Sequence, residues 1–260
     1  ASGNTAVGYQ AGYSNTTGEQ NAHIGFTSGQ LNTTGYNNSA LGYSSLKSNT
    51  TGALNTAIGH SALTANTTAN NNTAVGYHAG YSNTTGAENT AVGMQSLDAN
   101  TTGNSNTGVG VNTLTSSTTG NDNTAVGRDA LQNNTTASEN TAVGYQALTS
   151  NTTGTPNAAF GYRSQYVNTT GNYNSSFGAA SLRTNTTGGN NVSVGYAALY
   201  SNTTANGNTA VGYQAGYANT TGSDNTFIGL QAGLATTTGV AATAVGSRAG
   251  IANTTGQITA

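Results

Sequence analysis

Apolar side chains recur along this chain at one fixed interval. Val7, Ile24, Leu41, Ile58, Val75, Val92, Val109, Val126, Val143, Phe160, Phe177, Val194, Val211, Ile228 and Val245 keep one constant spacing, and glycine follows each of them. Fifteen units run end to end without insertion or deletion. Numbered from Asn4, Asn21, Asn38 and their equivalents, the unit reads N-T-A-V-G-Y-Q-A-(L/G)-x-S-N-T-T-G-x-x. Within T-A-V-G-Y, Thr, Val and Tyr alternate with Ala and Gly, the period-2 pattern of a two-faced strand. So short a unit, rich in Gly, Asn and Thr, is too small and too poor in helix formers for a helical hairpin. It suits one coil of a β-solenoid, with two or three short strands joined by tight corners.

The expected fold is therefore all-β: a parallel β-solenoid of fifteen 17-residue coils, one uninterrupted array over 1–260. At roughly 4.8 Å per coil it would be about 70 Å long. The fourth position is apolar in every unit, whereas the sixth accepts Arg128 and Ser247. The fourth-position series from Val7 to Val245 is thus expected to face the coil interior or a chain interface, as a structural core ladder. Asparagines at the first and twelfth positions should stack as amide ladders. Gly8, Gly25, Gly42, Gly59 and Gly76 are expected as turn glycines at the fifth position. N-T-T-G reads as a corner, opened by an asparagine bonding its own backbone and closed by a glycine with φ > 0. A second corner falls near the ninth position, which alternates between Leu (Leu46, Leu63, Leu131, Leu148) and Gly (Gly12, Gly80, Gly216).

Burying a Val, Leu or Phe contributes roughly 1.5–3 kcal/mol, while ordering each backbone residue costs about 1–2 kcal/mol. One coil with so few large apolar groups cannot stand alone, so stability must come from stacking. Small residues at the third, fifth and eighth positions would also let a second or third chain approach. The expected partner is the chain itself, as a parallel homo-oligomer with a trimer favoured, or as an end-to-end filament.

The N-T-A-V-G-Y-Q-A core, as in Asn140-Thr141-Ala142-Val143-Gly144-Tyr145-Gln146-Ala147, resembles the head repeats of trimeric autotransporter adhesins of the YadA-like type. Asn123-Thr124-Ala125-Val126-Gly127-Arg128-Asp129-Ala130 follows the same pattern, and similar strings occur in bacteriophage tail-fibre shafts. All fifteen units share the likeness. The resemblance implies a left-handed parallel β-roll, three chains around one axis, and a surface-exposed adhesive or spacer role. This unit is longer than the family's, because N-T-T-G enlarges one corner.

Composition narrows the remaining chemistry. Five basic and seven acidic residues leave a net charge of −2, which offers no footprint for nucleic acid. The absence of cysteine excludes disulfides and thiolate metal sites. No apolar stretch approaches the roughly 20 residues of a membrane span, so membrane insertion is not expected. His23, His60 and His78 share no position and read as scattered surface substitutions without a matching carboxylate. Glu19, Glu88, Asp122, Glu139 and Asp224 follow the N-T-T-G corner and read as solvated loop charges. Lys47, Arg128, Arg163, Arg183 and Arg248 fall at variable positions and read as outward and solubilising. No catalytic, metal or cofactor-binding residue is assigned, no cofactor is expected, and the chain reads as a non-enzyme.

Thirteen units carry Asn-Thr-Thr, a candidate N-glycosylation sequon, at Asn15, Asn32, Asn49, Asn66, Asn83, Asn100, Asn134, Asn151, Asn168, Asn185, Asn202, Asn219 and Asn253. Stacking of these asparagines at the corner competes with that role. The leading functional expectation is an extracellular fibre or filament shaft, on a cell surface or virion, acting as an adhesin-like spacer. Alternatives are an ice-binding solenoid, using threonines at the second, thirteenth and fourteenth positions, and a tyrosine stripe that binds a cell-surface glycan or receptor. The stripe comprises Tyr9, Tyr13, Tyr77, Tyr81, Tyr213 and Tyr217. The sequence runs from the fifteenth position at Ala1 to the second at Ala260 with no visible cap, as expected of an internal piece of a longer fibre.

Overall fold

The computed structural model describes residues 2–255; Ala1 and Ala260, on which the expectation of missing caps rests, lie outside them. The chain comprises two compact units. The first comprises Ala1–Asp129 with Asn133–Thr136, the second Ala130–Gln132 with Ala137–Ala260. Each is a parallel β-solenoid with one coil per repeat, and no helix occurs among the described residues. The first unit contains β1 (Thr5–Val7) through β8 (Thr124–Val126), and the second β9 (Thr141–Val143) through β15 (Thr243–Val245). Each coil has a single three-residue strand, at its second to fourth positions. The two or three strands expected per coil are corrected to this one. Most of the remainder is turn or bend, because the chain must close a complete circuit within a single repeat.

Register follows the repeat without slippage: Thr5 pairs with Ala22, Ala6 with His23 and Val7 with Ile24. Coils bond in both directions. The Thr5 N–H donates to the Asn21 carbonyl of the next coil at 2.8 Å, while the Gly25 N–H donates back to Val7 at 2.8 Å. Gly8, Gly25, Gly42, Gly59 and Gly76 stand at the bend ending each strand, with φ between 130° and 140°. A β-carbon on Gly76 would lie 2.6 Å from the Gly93 carbonyl oxygen, so both conformation and coil spacing demand glycine there.

The corner glycine at the fifteenth position works differently from expectation. Gly18, Gly35 and Gly52 do not take positive φ; a side chain there is opposed by crowding, 2.3 Å from the next carbonyl at Gly35. The left-handed residue of this corner is the seventeenth, such as Asn37 (φ 54°) or Glu88 (φ 62°). The seventh and ninth positions are left-handed too, including Leu46 (φ 52°) and Leu199 (φ 47°). A left-handed leucine costs about 1–2 kcal/mol, a penalty of the same size as the gain from full burial. Both leucines are fully buried.

The interior inverts the expected faces. Ala57, Ala74, Ala125 and Ala142 of the third position are 0% exposed, as are Leu114, Leu131 and Leu148 of the ninth. The expected core ladder lies on the other side of the strand. Val7, Ile24, Leu41, Ile58, Val109, Phe177, Val211, Ile228 and Val245 are exposed, with relative accessibilities of 36–57%. Val75, Val92, Val126, Val143, Phe160 and Val194 are half-buried. The leucine entering from the ninth position fills the narrow coil, leaving room at the strand for little more than a methyl group.

Exceptions to this division of space occur together. Phe227 occupies a third position, and the ninth positions beside it are Gly216 and Gly233, whose β-carbons would lie 2.6 and 2.3 Å from its ring. His23 is accommodated likewise between Gly12 and Gly29. Where both sites are small, at Ala74 and Gly80, a cavity of about 10 Å³ remains between Leu63 and Leu97.

Candidate functional site

Most asparagines inside the coil are committed to stacking. The twelfth-position asparagines form the expected amide ladder: Asn49 Nδ2 donates to Asn32 Oδ1 at 2.8 Å, and Asn66 Nδ2 to Asn49 Oδ1 at 2.8 Å. The same amide also donates within its coil, as from Asn49 to the Gly52 carbonyl at 2.8 Å. The first-position asparagines hold that carbonyl from the other side, as Asn38 does at 2.9 Å. Their Oδ1 atoms accept the backbone N–H of the next coil, Asn38 from Asn55 at 3.0 Å.

This geometry corrects the glycosylation candidates. Asn32, Asn49, Asn66, Asn134, Asn151, Asn168, Asn185, Asn202 and Asn219 are 0% exposed, while Asn83 and Asn100 are 1% exposed. Asn15 and Asn253 are half-buried. The buried amide nitrogen that would carry the sugar already bonds the stack, so a glycan has no place in the folded coil. Threonines divide similarly. The thirteenth-position hydroxyl donates to the next coil, Thr50 Oγ1 to the Thr67 carbonyl at 3.0 Å. The fourteenth-position threonines point to solvent, and those at the second position are mostly half-buried.

The outward face of the strand and the turn after it is apolar and aromatic. Beside the fourth-position ladder runs the sixth position, where Tyr9, Phe26, Tyr43 and His60 stack in series at 5.0, 5.3 and 4.8 Å between ring centroids. In the second unit Tyr145 stacks on Tyr162, and Tyr196 on Tyr213. Rings piled on one another present edges outward and cover their faces, whereas a sugar stacks on a ring face. This arrangement removes the geometric basis for glycan stacking within these piles.

Charged groups depart from the scattered surface expectation. His23 is buried at 2% exposure with neither ring nitrogen hydrogen-bonded, and burial lowers its pKa from 6.5 to about 4. His78 does meet a carboxylate: Nδ1 lies 3.7 Å from Asp98 Oδ1. Burial pushes the Asp98 carboxyl above its usual range, opposed by the charge of His78. The pair joins a seventh position to the tenth position of the next coil, a juxtaposition visible once the units are aligned. Arg128 is exposed beside Asp129, at 3.4 Å. Arg163 and Arg183 are half-buried, both over the Tyr166 ring, at 5.2 and 5.8 Å from its centroid. Among the described residues no group of three His, Asp or Glu side chains is placed to hold a metal ion, and no helix is long and apolar enough to cross a membrane.

No protein-family model, curated protein or solved structure matches this chain.

Proposed function

We propose that this chain is a structural shaft or spacer segment of an extracellular fibre, non-catalytic, and that it associates with copies of itself along the fourth-position face. The observation carrying this reading is the exposed apolar ladder. Val211 is 36% and Val7 57% exposed although the coil interior is already filled by Leu and Ala. A repeated apolar row facing solvent is a liability for a solitary chain and an asset for a lateral interface. Commitment of the buried Asn and Thr side chains to coil stacking fits a mechanical role. A parallel trimer would bring three such rows to one axis.

Light scattering at micromolar concentration tests the assembly, with a trimer expected. Val143→Lys and Val211→Lys should lower the oligomeric state while leaving the far-UV circular dichroism unchanged. A monomeric, fully folded parent chain would overturn the lateral assembly.

A further inference from the structure

The sequence contains 14 tyrosines, no cysteine, no tryptophan and one methionine. Phenols, thiols and indoles lose one electron at similar potentials, so with no thiol or indole to compete, an oxidising equivalent that reaches this chain settles on tyrosine. In the second unit three tyrosine pairs are held in register on adjacent coils. Ring centroids are 5.6 Å apart for Tyr145–Tyr162, 5.4 Å for Tyr196–Tyr213 and 5.0 Å for Tyr200–Tyr217, with interplanar angles of 10°, 14° and 15°. Tyr145, Tyr162, Tyr196 and Tyr213 are 38–53% exposed, so an oxidant can reach them.

We propose that these pairs are sites of oxidative coupling to dityrosine, bonding one coil covalently to the next. The co-reactant is hydrogen peroxide, used through a peroxidase. Each phenol loses one electron and its O–H proton, giving a phenoxyl radical. Two radicals then join ortho carbon to ortho carbon. Each coupled carbon releases its hydrogen as a proton while the oxygen regains one, restoring both phenols. One peroxide accepts the two electrons and two protons and leaves as two waters, so each bond costs the chain two hydrogens.

Register supplies the proximity. Reacting rings start close together, and rotation about Cβ–Cγ turns their ortho carbons toward each other. In the unfolded chain the same rings must first close a flexible loop. Coupling depends on ring geometry and composition and does not require a fibre role. The first unit supplies an internal control. Phe26 separates Tyr9 from Tyr43 in the pile, and His60 separates Tyr43 from Tyr77, so these tyrosines should not couple within a chain.

The test treats the full chain, dilute, with peroxidase and limiting peroxide, in native buffer and in unfolding urea. Dityrosine fluorescence, loss of two hydrogens from the chain mass, and peptide mapping report the product. Expected is an intrachain Tyr196–Tyr213 link at about tenfold higher yield in the folded chain, reflecting preorganised proximity. Tyr213→Phe should remove that link and spare Tyr145–Tyr162. Equal yields in folded and unfolded chains, links between chains only, or Tyr9–Tyr43 coupling within a chain would each overturn the proposal.

Discussion

Replacing His23 by phenylalanine should stabilise the first coils and abolish a defined part of their acid sensitivity. His23 occupies the third position of its coil, 2% exposed, with both ring nitrogens unpartnered. The space is ring-shaped, since a β-carbon on Gly29 would lie 2.2 Å from Nδ1. Phe227 proves that phenylalanine fits such a slot, being 0% exposed between Gly216 and Gly233. An unsatisfied buried polar group costs about 1–3 kcal/mol, so His23→Phe should gain roughly 1–3 kcal/mol at neutral pH. The acid effect has a definite sign. Burial lowers the histidine pKa from 6.5 to about 4, so the unfolded chain takes up the proton first as pH falls. Stability associated with His23 is fully present above pH 6.5 and drains away as pH drops toward 4. At about 1.4 kcal/mol per pH unit, the total loss is roughly 3 kcal/mol. Phenylalanine has no proton to bind, so the variant should lack this component. Because coils open locally in repeat arrays, amide hydrogen exchange at Gly25, Thr27 and Asn38, compared between pH 7 and pH 4.5, is the direct assay. The neighbouring Glu19 is present in both proteins, so the difference between them isolates His23. Equal pH slopes, or a variant less stable than the parent at pH 7, would refute the reasoning.

The exchange of space between third and ninth positions predicts strong coupling. Phe227→Ala should cost about 3–5 kcal/mol through its cavity, and Gly233→Leu about 1–3 kcal/mol through overpacking. Together they recreate the common Ala–Leu coil, so urea unfolding should show a favourable coupling of at least about 2 kcal/mol; additive effects would count against the shared slot. In the asparagine ladder, Asn185→Asp removes an amide that donates to Asn168 Oδ1 at 2.8 Å and to the Gly188 carbonyl at 2.9 Å. It also buries a carboxylate against those acceptors, so a loss of about 3–5 kcal/mol is expected, read as lost exchange protection in the flanking coils. Unchanged protection there would mean the ladder is not a source of stability.

Much of this protein was legible in its sequence, because a repeat without insertions constrains stacking directly. The constant interval between units sets the coil, parallel pairing and register. Asparagine at a fixed position implies a ladder in any stack of identical coils, and invariant glycine at the fifth position implies a backbone site that excludes a side chain. The inward face was not legible. Alternation in T-A-V-G-Y distinguishes two faces, but which one turns inward depends on the room between opposing walls. Leucines at left-handed ninth positions occupy that room, so the small alanines face in and the larger valines face out. The same tertiary fact placed His23 in the interior opposite glycine and buried the Asn-Thr-Thr amides that a linear reading offers to glycans. It also set most rings of the tyrosine stripe against a neighbouring ring, leaving Tyr13 exposed. Sequence determined what repeats and where it pairs; coil closure decided what faces water, because the width of the interior depends on side chains that meet only after the chain has gone once around.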